Sequence, residues 1–278
     1  MNSYIPTSLE EALKILSEHD CYILAGGTDL MVQNHRSSGL LPTFKKDVLF
    51  TSQIEGLDYI KVINNELHIG ANTKYISMIE SKFVPTMLKD VFVEIASPSI
   101  RNMATLTGNI NNASPAADGT VPLILLDARL VLQSKDNKRE IYVDDYLIGF
   151  KKTDRKPNEM VTEIIVPLTD QKYLWRKVGS RKAESISKVT FLGAYKTSNN
   201  KISDFRVALG CVSIKPVRSK KVENKYIGLT IDELKNKKDE IVNDYNQLIE
   251  PVTDQRSNKE YKRKVTINLL KSFIDSIK

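Results

Sequence analysis

The stretch CYILAGGTDLMVQ, residues 21 to 33, decides how the fold begins. It opens with a short apolar run, typical of a buried strand, that stops at two adjacent glycines. A threonine and an aspartate follow, and the chain then turns apolar again in a pattern that favours a helix. This order predicts a βαβ-type beginning. The glycines indicate that something comes so close to the backbone that side chains are removed.

The flanking segments have clear local patterns. Upstream, TSLEEALKIL offers Thr7 and Ser8 as N-caps and has apolar residues at helical spacing, which predicts a short amphipathic helix. Downstream, YIKVINNELHIG and RLVLQSKDNKREIYV alternate on both sides of polar turns, and both are predicted hairpins. A mixed α+β region is therefore expected.

Between the hairpins, TKYISMIESKFVPTMLKDVFVEIAS is predicted to be helical with an interruption near Pro85. The polar, small-residue segment IRNMATLTGNINNASPAADGTVP follows and is too long for an ordinary turn. Pro167 ends the strand-like TEIIV, and a new pattern begins near VPLTDQ, so a domain boundary is expected there.

The last region contains a predicted strand, KISDFRVALGCVSIKP, and two predicted helices. TIDELKNKKDEIVNDYNQLI is expected to be capped by Thr230 with Glu233, and SNKEYKRKVTINLLKSFI by Ser257 with Glu260. Together these patterns divide the chain into three regions. The predicted apolar face of the last helix consists of Tyr261, Val265, Leu269 and Phe273, which is typical of a core or a subunit interface. The predicted regions are 1–57, 58–170 and 171–278.

Composition excludes several classes of protein. With 278 residues the chain can bury a substantial core. The net charge of +7 invites a nucleic-acid reading, but acidic and basic residues are interspersed and no aromatic-basic platform occurs. Cys21 and Cys211 lie in apolar segments and are expected to be buried, reduced thiols. No leader or membrane-spanning stretch is apparent, so a cytoplasmic protein with no membrane partner is expected.

No side chain stands out as an obvious catalyst. His19, His35 and His68 are isolated, and none has a partner three or four residues away that would make a metal-binding pair. No metal site is therefore predicted. No G-x-S-x-G, G-x-x-x-x-G-K-[ST] or G-x-G-x-x-G motif occurs, which argues against a serine hydrolase, a P-loop enzyme and a Rossmann site. Catalytic residues are therefore not assigned.

Two hydroxyl-rich glycine turns, AGGTD and TLTGN, resemble anion cradles. Their backbone N–H groups, helped by the hydroxyls of Thr28, Thr105 and Thr107, could hydrogen-bond a pyrophosphate that larger side chains would exclude. The alternatives are a simple tight turn for the first segment and an Ω-loop packed on itself for the second.

The two segments AGGTDL and IRNMATLTGNINNASPAADGTVPLILLDARL also resemble the flavin-binding signatures of a known family. This is the FAD-binding (medium) subunit of the molybdenum hydroxylases, the xanthine dehydrogenase and carbon monoxide dehydrogenase family. WRKVGSRKAESISKVT and DQRSNKEYKRKVTINLL resemble its C-terminal domain. The resemblance implies an α+β fold with a two-subdomain FAD-binding fold of the vanillyl-alcohol-oxidase or p-cresol-methylhydroxylase type, followed by a C-terminal α+β domain.

The resemblance further implies an oxidoreductase subunit that carries FAD. In such complexes a molybdopterin-binding large subunit hydroxylates the substrate, and a small subunit with [2Fe-2S] clusters carries the electrons to the FAD subunit. NAD or another electron acceptor then receives them. A stand-alone flavin oxidase and a cofactor-free scaffold relative are the alternatives.

The family's cofactor contacts can be carried onto matching positions. Gly26, Gly27 and Thr28 would lie closest to the pyrophosphate, and the second turn would form another wall. Asp118 would bind the ribose or adenosine side, and Lys177 would lie near the flavin, where a cation raises its potential. A solvated charge is the alternative for Lys177. The implied cofactor-binding residues are Ile23, Leu24, Ala25, Gly26, Gly27, Thr28, Asp29, Leu30, Thr105, Gly108, Asn109, Asn112, Asp118, Ile165 and Lys177.

The sequence departs from the family at one position of the second signature. The usual pattern is Thr-Ile-Gly-Gly-Asn, but Thr107 stands before Gly108 here, which predicts weaker cofactor affinity or an altered turn. Some relatives carry an inserted, cysteine-ligated [4Fe-4S] cluster, which two cysteines exclude. Neither signature has a histidine for covalent attachment of the flavin.

Overall fold

The computed structural model of the protein describes residues 1–35, 37 and 40–278. The strands are β1 (Ser3–Tyr4), β2 (Cys21–Leu24), β3 (Asp47–Phe50), β4 (Ile60–Ile63), β5 (Glu66–Gly70), β6 (Arg129–Gln133), β7 (Lys138–Tyr142), β8 (Leu147–Gly149), β9 (Lys152–Thr153), β10 (Met160–Pro167), β11 (Lys172–Val178), β12 (Val189–Ser198) and β13 (Lys201–Gly210). The helices are α1 (Leu9–Glu18), α2 (Leu30–Gln33), α3 (Tyr75–Glu80), α4 (Thr86–Val93), α5 (Pro98–Arg101), α6 (Leu106–Asn112), α7 (Thr120–Leu125), α8 (Val143–Tyr146), α9 (Lys220–Glu223), α10 (Ile231–Asn236), α11 (Lys238–Leu248) and α12 (Lys259–Ser276).

The chain forms two compact units. The first unit comprises Met1–Pro85, Ala96–Ala113 and Asp127–Leu168. The second unit comprises Thr86–Ile95, Ser114–Leu126 and Thr169–Lys278. Two short segments of the predicted region 58–170 therefore belong to the same unit as the C-terminal region.

The first unit contains a parallel sheet and a larger antiparallel sheet. The parallel sheet has the order β1-β3-β2, and the antiparallel sheet has the order β4-β5-β10-β6-β7. The predicted first helix is confirmed as α1, and the Ser8 hydroxyl accepts a hydrogen bond from the Glu11 N–H at 3.2 Å. Both predicted hairpins are also confirmed. Asn64 and Asn65 have φ values of 50° and 61°, as a tight hairpin turn requires.

The second unit packs helices against an antiparallel sheet of order β11-β12-β13. Phe191 and Phe205 of the sheet contact Phe273 of α12, each with ring centroids 5.7 Å apart. Helix α7 belongs to this unit, and all six of its residues are buried. Aromatic and aliphatic side chains thus hold the sheet to its helices.

Three details of the C-terminal helices differ from the predictions. The single helix predicted from Thr230 to Ile249 is divided into α10 and α11 at Lys237, although the capping box of Thr230 and Glu233 is present. The cap of α12 is Asn258 rather than Ser257. The buried face of α12 is also rotated by about one residue, because Tyr261 is 42% exposed while its neighbour Lys262 is buried. The buried residues of α12 are Lys262, Thr266, Leu270, Phe273 and Ile274.

The two cysteines and His68 lie within the packed fold. Cys21 and Cys211 are buried, free thiols, as expected. His68 Nδ1 of β5 lies 2.9 Å from Glu163 Oε1 of β10. This contact between neighbouring strands gives His68 a structural role. No helix in the described ranges is long and apolar enough to cross a bilayer.

Candidate functional site

The first glycine turn leaves a continuous run of backbone donors unused. It follows β2, whose four residues pair in parallel with β3, and leads into α2. None of the six N–H groups from Ala25 to Leu30 donates a hydrogen bond to another described residue. Asp29 is exposed and the other five residues are half-buried. Successive free N–H groups in a turn form a concave, positively polarised surface that suits an anion.

The two positions of this turn require glycine for different structural reasons. A Cβ added to Gly26 would lie 2.1 Å from the carbonyl oxygen of Met103, so the closest neighbour of this backbone is the segment that precedes the second turn. Gly27 has a φ of +68°, a left-handed conformation that glycine adopts without strain. The first turn therefore packs against the second signature at Gly26 and changes direction at Gly27.

The TLTGN turn of the second signature forms the start of a helix, α6, rather than a loop. Thr105 is the N-cap of α6, and its hydroxyl accepts a hydrogen bond from the Gly108 N–H at 3.0 Å. Leu106 and Ile110 are completely buried, which anchors the helix despite its polar composition. The Ω-loop alternative is therefore wrong.

The departure at Thr107 is accommodated inside the protein. Thr107 is 8% exposed. Its hydroxyl oxygen is buried and has no hydrogen-bond partner among the described residues. Asn109 Oδ1 is likewise buried and unpartnered within the described ranges. Neither oxygen presents surface to solvent, so the Thr107 hydroxyl is not on an open wall of the site.

The first turn and α6 are also joined by side chains. The Gln33 amide nitrogen donates a hydrogen bond to Asn112 Oδ1 at 2.8 Å and another to the Asp29 carboxylate. Asp29 lies at the end of the glycine turn and Asn112 at the end of α6. One amide thus connects two of the predicted contact residues.

Ile165 has a different environment. It lies in β10, between His68 of β5 and Arg129 of β6, and is 4% exposed. Its backbone faces ladder partners on both sides, and its side chain offers little free surface. Its contact with a cofactor remains a prediction.

Asp118 and Lys177 meet within the second unit. Asp118 Oδ2 lies 2.9 Å from Lys177 Nζ, and the two side chains are 7% and 8% exposed. The Ser187 hydroxyl donates to Asp118 Oδ1 at 2.6 Å, and Lys177 Nζ donates to the Glu94 carbonyl at 2.7 Å. Lys177 is therefore not a solvated surface charge.

The electrostatics of this cluster are set mainly by burial. Burial raises the pKa of Asp118 above its usual range, and the charge of Lys177 and the Ser187 hydrogen bond offset part of the rise. Burial also raises the pKa of the neighbouring Cys211 thiol to about 12, with a further contribution from the charge of Asp118. Cys211 is thus an unreactive, protonated thiol near neutral pH.

Sequence reasoning missed Ser187 and Gln33 as partners of the predicted contacts. The Ser187–Asp118 hydrogen bond spans 69 residues and the Gln33–Asn112 bond spans 79, so no local pattern indicates either. A groove of about 460 Å³ lined by α1 and the β6–β7 turn contains none of the predicted site residues. No cluster of possible metal ligands occurs in the part of the chain that is described.

Two family models match the chain. The FAD binding domain in molybdopterin dehydrogenase matches residues 1–169. The CO dehydrogenase flavoprotein C-terminal domain matches residues 176–277. Both predicted signatures and the segments that resemble the C-terminal domain fall inside these ranges, apart from Trp175 at the edge.

Individual relatives cover almost the whole chain. The glyceraldehyde dehydrogenase medium chain of Sulfolobus acidocaldarius is 32% identical over 263 residues, which is 93% of this chain and 91% of the relative. The xanthine dehydrogenase FAD-binding subunit of Escherichia coli O157:H7 is 24% identical over 276 residues, covering 96% of this chain and 92% of the relative. A chain of reconstituted CO dehydrogenase from Oligotropha carboxidovorans has a TM-score of 0.89 at 23% identity, covering 99% of this chain and 96% of that chain. This last likeness confirms the predicted fold class.

Proposed function

This chain belongs to the family of FAD-binding flavoprotein subunits of molybdopterin dehydrogenases, and we propose that it takes electrons from the [2Fe-2S] clusters of a partner subunit and delivers them to NAD or another acceptor. The flavin of FAD supplies the electron-exchange chemistry when it is bound, because it accepts and releases electrons singly or in pairs. The residues of this chain bind and orient it.

The run of free donors from Ala25 to Leu30 is the observation that carries the proposal. A pyrophosphate presents several acceptor oxygens and negative charge, and six adjacent N–H groups with no acceptor among the described residues complement both. Gly26 and Gly27 place no side chain over this surface. The open donors favour a cofactor-binding subunit over a cofactor-free scaffold, because a scaffold gains nothing from leaving backbone donors unpaired.

The other predicted contacts are assigned by what they can donate or accept. Thr105 and Gly108 fix the start of α6 through their mutual hydrogen bond. Asn109 and Asn112 supply amide groups along the same helix, and Asn112 is already oriented by Gln33. In the second unit Asp118 and Lys177 form one ion pair of 2.9 Å, so we assign the pair to a single part of the cofactor, the flavin end expected for Lys177.

Partner subunits follow from the kind of protein this chain resembles. Its relatives are named as medium chains or FAD subunits, which are parts of larger dehydrogenases. We propose a molybdopterin-binding large subunit and a [2Fe-2S] small subunit as its partners.

The electron-transfer role can be tested with the assembled complex. Substrate is added to the three subunits together, and the bleaching of flavin absorbance and the formation of NADH are measured. The proposal predicts both signals with the complete complex and no NADH when FAD is removed from this chain. Equal NADH formation without the chain would refute it.

The isolated, FAD-loaded chain is the matched control. Without partner subunits it is expected to oxidise none of the aldehyde or heterocyclic substrates, because no acid–base side chain is assigned to a catalytic step. Steady turnover by the isolated chain would favour the stand-alone flavin oxidase instead.

A further inference from the structure

A buried polar cluster in the second unit contains one residue that family resemblance does not assign. Ser187 is 2% exposed, and its hydroxyl donates to Asp118 Oδ1 at 2.6 Å. Lys177 Nζ lies 2.9 Å from the other carboxylate oxygen of Asp118. Each oxygen of this carboxylate therefore has one donor, and both donors come from segments distant in sequence.

The ammonium group of Lys177 has more hydrogen-bond donors than acceptors around it in the described residues. An ammonium group has three N–H donors, and those of Lys177 reach Asp118 Oδ2 and the Glu94 carbonyl. The third has no acceptor within the described residues. Because the side chain is only 8% exposed, little water is available to satisfy it. The cluster can therefore donate one further hydrogen bond to a ligand while its charge remains paired.

Ser187 is held in place through its backbone. The Cys211 thiol donates to the Ser187 carbonyl at 3.4 Å, and the next residue, Lys188, donates its N–H to the Val178 carbonyl at 2.8 Å. These contacts fix the end of the β11–β12 connection beside Asp118. The Ser187 hydroxyl favours the ionised form of Asp118 and so offsets part of the rise in pKa that burial causes.

We propose that Ser187 is a positioning residue of the flavin site, which holds the Asp118 carboxyl group opposite Lys177. Lys177 then meets the cofactor as one end of a buried ion pair and not as an isolated cation. The positive potential that Lys177 contributes at the flavin is thus set by Asp118, and indirectly by Ser187. This inference rests on the proposed contacts of Asp118 and Lys177 with FAD.

The test is the midpoint potential of bound flavin in the full-length chain, together with its affinity for FAD. Asp118→Asn removes the counter-ion of Lys177 and is expected to raise the flavin midpoint potential. Lys177→Met removes the positive charge and is expected to lower that potential. Ser187→Ala is expected to raise the potential by less than Asp118→Asn and to weaken FAD binding about tenfold, as loss of a charge-assisted hydrogen bond implies. Ser187→Thr keeps the hydroxyl and should restore both values.

Ser185 provides the matched control. It lies in the same β11–β12 connection, is 9% exposed, and donates to the Arg181 carbonyl at 3.1 Å. Ser185→Ala should leave the flavin potential unchanged. Equal potentials for Ser187→Ala and Ser185→Ala, with FAD bound to both, would overturn the inference alone. Failure of the unsubstituted chain to bind FAD, alone and with its partner subunits, would overturn the proposed function and the inference with it.

Discussion

At Gly26 the backbone of the first turn lies against the Met103 carbonyl so closely that no side chain fits. The glycine is needed first for packing within the protein, and the free N–H groups beside it are a consequence of the path that this packing imposes. Gly27 completes the turn with its left-handed φ. Two neighbouring glycines therefore serve one surface in two different ways.

Gly26→Ala should lower the free energy of unfolding by about 2 kcal/mol or more, because its Cβ would meet a backbone oxygen that cannot move alone. Denaturant unfolding measures this effect. Gly149→Ala is the control, since nothing lies within 4 Å of an added Cβ there. Equal stability of the two variants would show that the contact with Met103 is loose.

Thr107→Val should raise the free energy of unfolding by about 1 kcal/mol, because it removes a buried hydroxyl that has no partner among the described residues. The affinity for FAD should not change. Thr105→Val is the contrasting variant, because it removes the cap of α6 and should cost about 1 kcal/mol. A marked change in FAD affinity for Thr107→Val would place the hydroxyl at the cofactor.

At the scale of elements, the short helix α2 and helix α6 are connected through Gln33. Its amide reaches Asp29 and Asn112, so the end of the glycine turn and the end of α6 keep a fixed separation. We expect such a connection to orient the N–H groups of the first turn. A turn that is already ordered loses less conformational entropy when a ligand binds, so the ligand binds more tightly.

Gln33→Ala should weaken FAD binding about fivefold, which corresponds to about 1 kcal/mol for the lost hydrogen bonds. Gln33→Glu should weaken it further, because a second carboxylate would face Asp29. Asn34→Ala is the control, since among the described residues the side-chain amide of Asn34, the C-cap of α2, donates only to the Leu30 carbonyl, at 2.8 Å. Calorimetric titration with FAD gives the values, and identical affinities for the Gln33 and Asn34 variants would exclude the positioning role.

Helix α7 belongs with the C-terminal strands although the sequence places it about 50 residues earlier. Arg218 donates to the Ile124 carbonyl at 2.8 Å, and Val121 lies beside Gly210 of β13. All of α7 is buried. The second unit is therefore complete only when the segment Ser114–Leu126 is present.

A fragment of residues 169–278 should consequently expose the apolar surface that α7 covers. We expect it to unfold without a cooperative transition and to bind a hydrophobic dye, whereas the full chain should do neither. Calorimetry and dye fluorescence distinguish the two. A sharp transition of the isolated fragment would mean that α7 and the segment Thr86–Ile95, which the fragment also lacks, contribute little to the unit.

At the scale of the whole molecule, local patterns predict the elements well and their partners poorly. The cap at Ser8, the hairpin at Asn64-Asn65 and the capping box at Thr230 follow from short-range chemistry and are confirmed. Helix α6 was missed because its Thr, Gly and Asn residues favour loops, while two buried apolar residues decide the outcome.

The rotated face of α12 has a similar cause. Lys262 is buried because its Nζ lies 2.8 Å from Asp254 Oδ2, and a lysine on a buried face contradicts the ordinary apolar pattern. The candidate site shows the same limit. The resemblance supplies Asp118 and Lys177, but only the folded chain shows that they pair with each other and with Ser187.

Everything proposed for the first glycine turn requires that this chain bind FAD. The most direct measurement is the absorption spectrum of the purified chain, followed by heat release and chromatographic identification of the cofactor. We expect a flavin spectrum and about one FAD per chain. A colourless protein that also fails to take up added FAD, alone and with its partner subunits, would contradict that expectation.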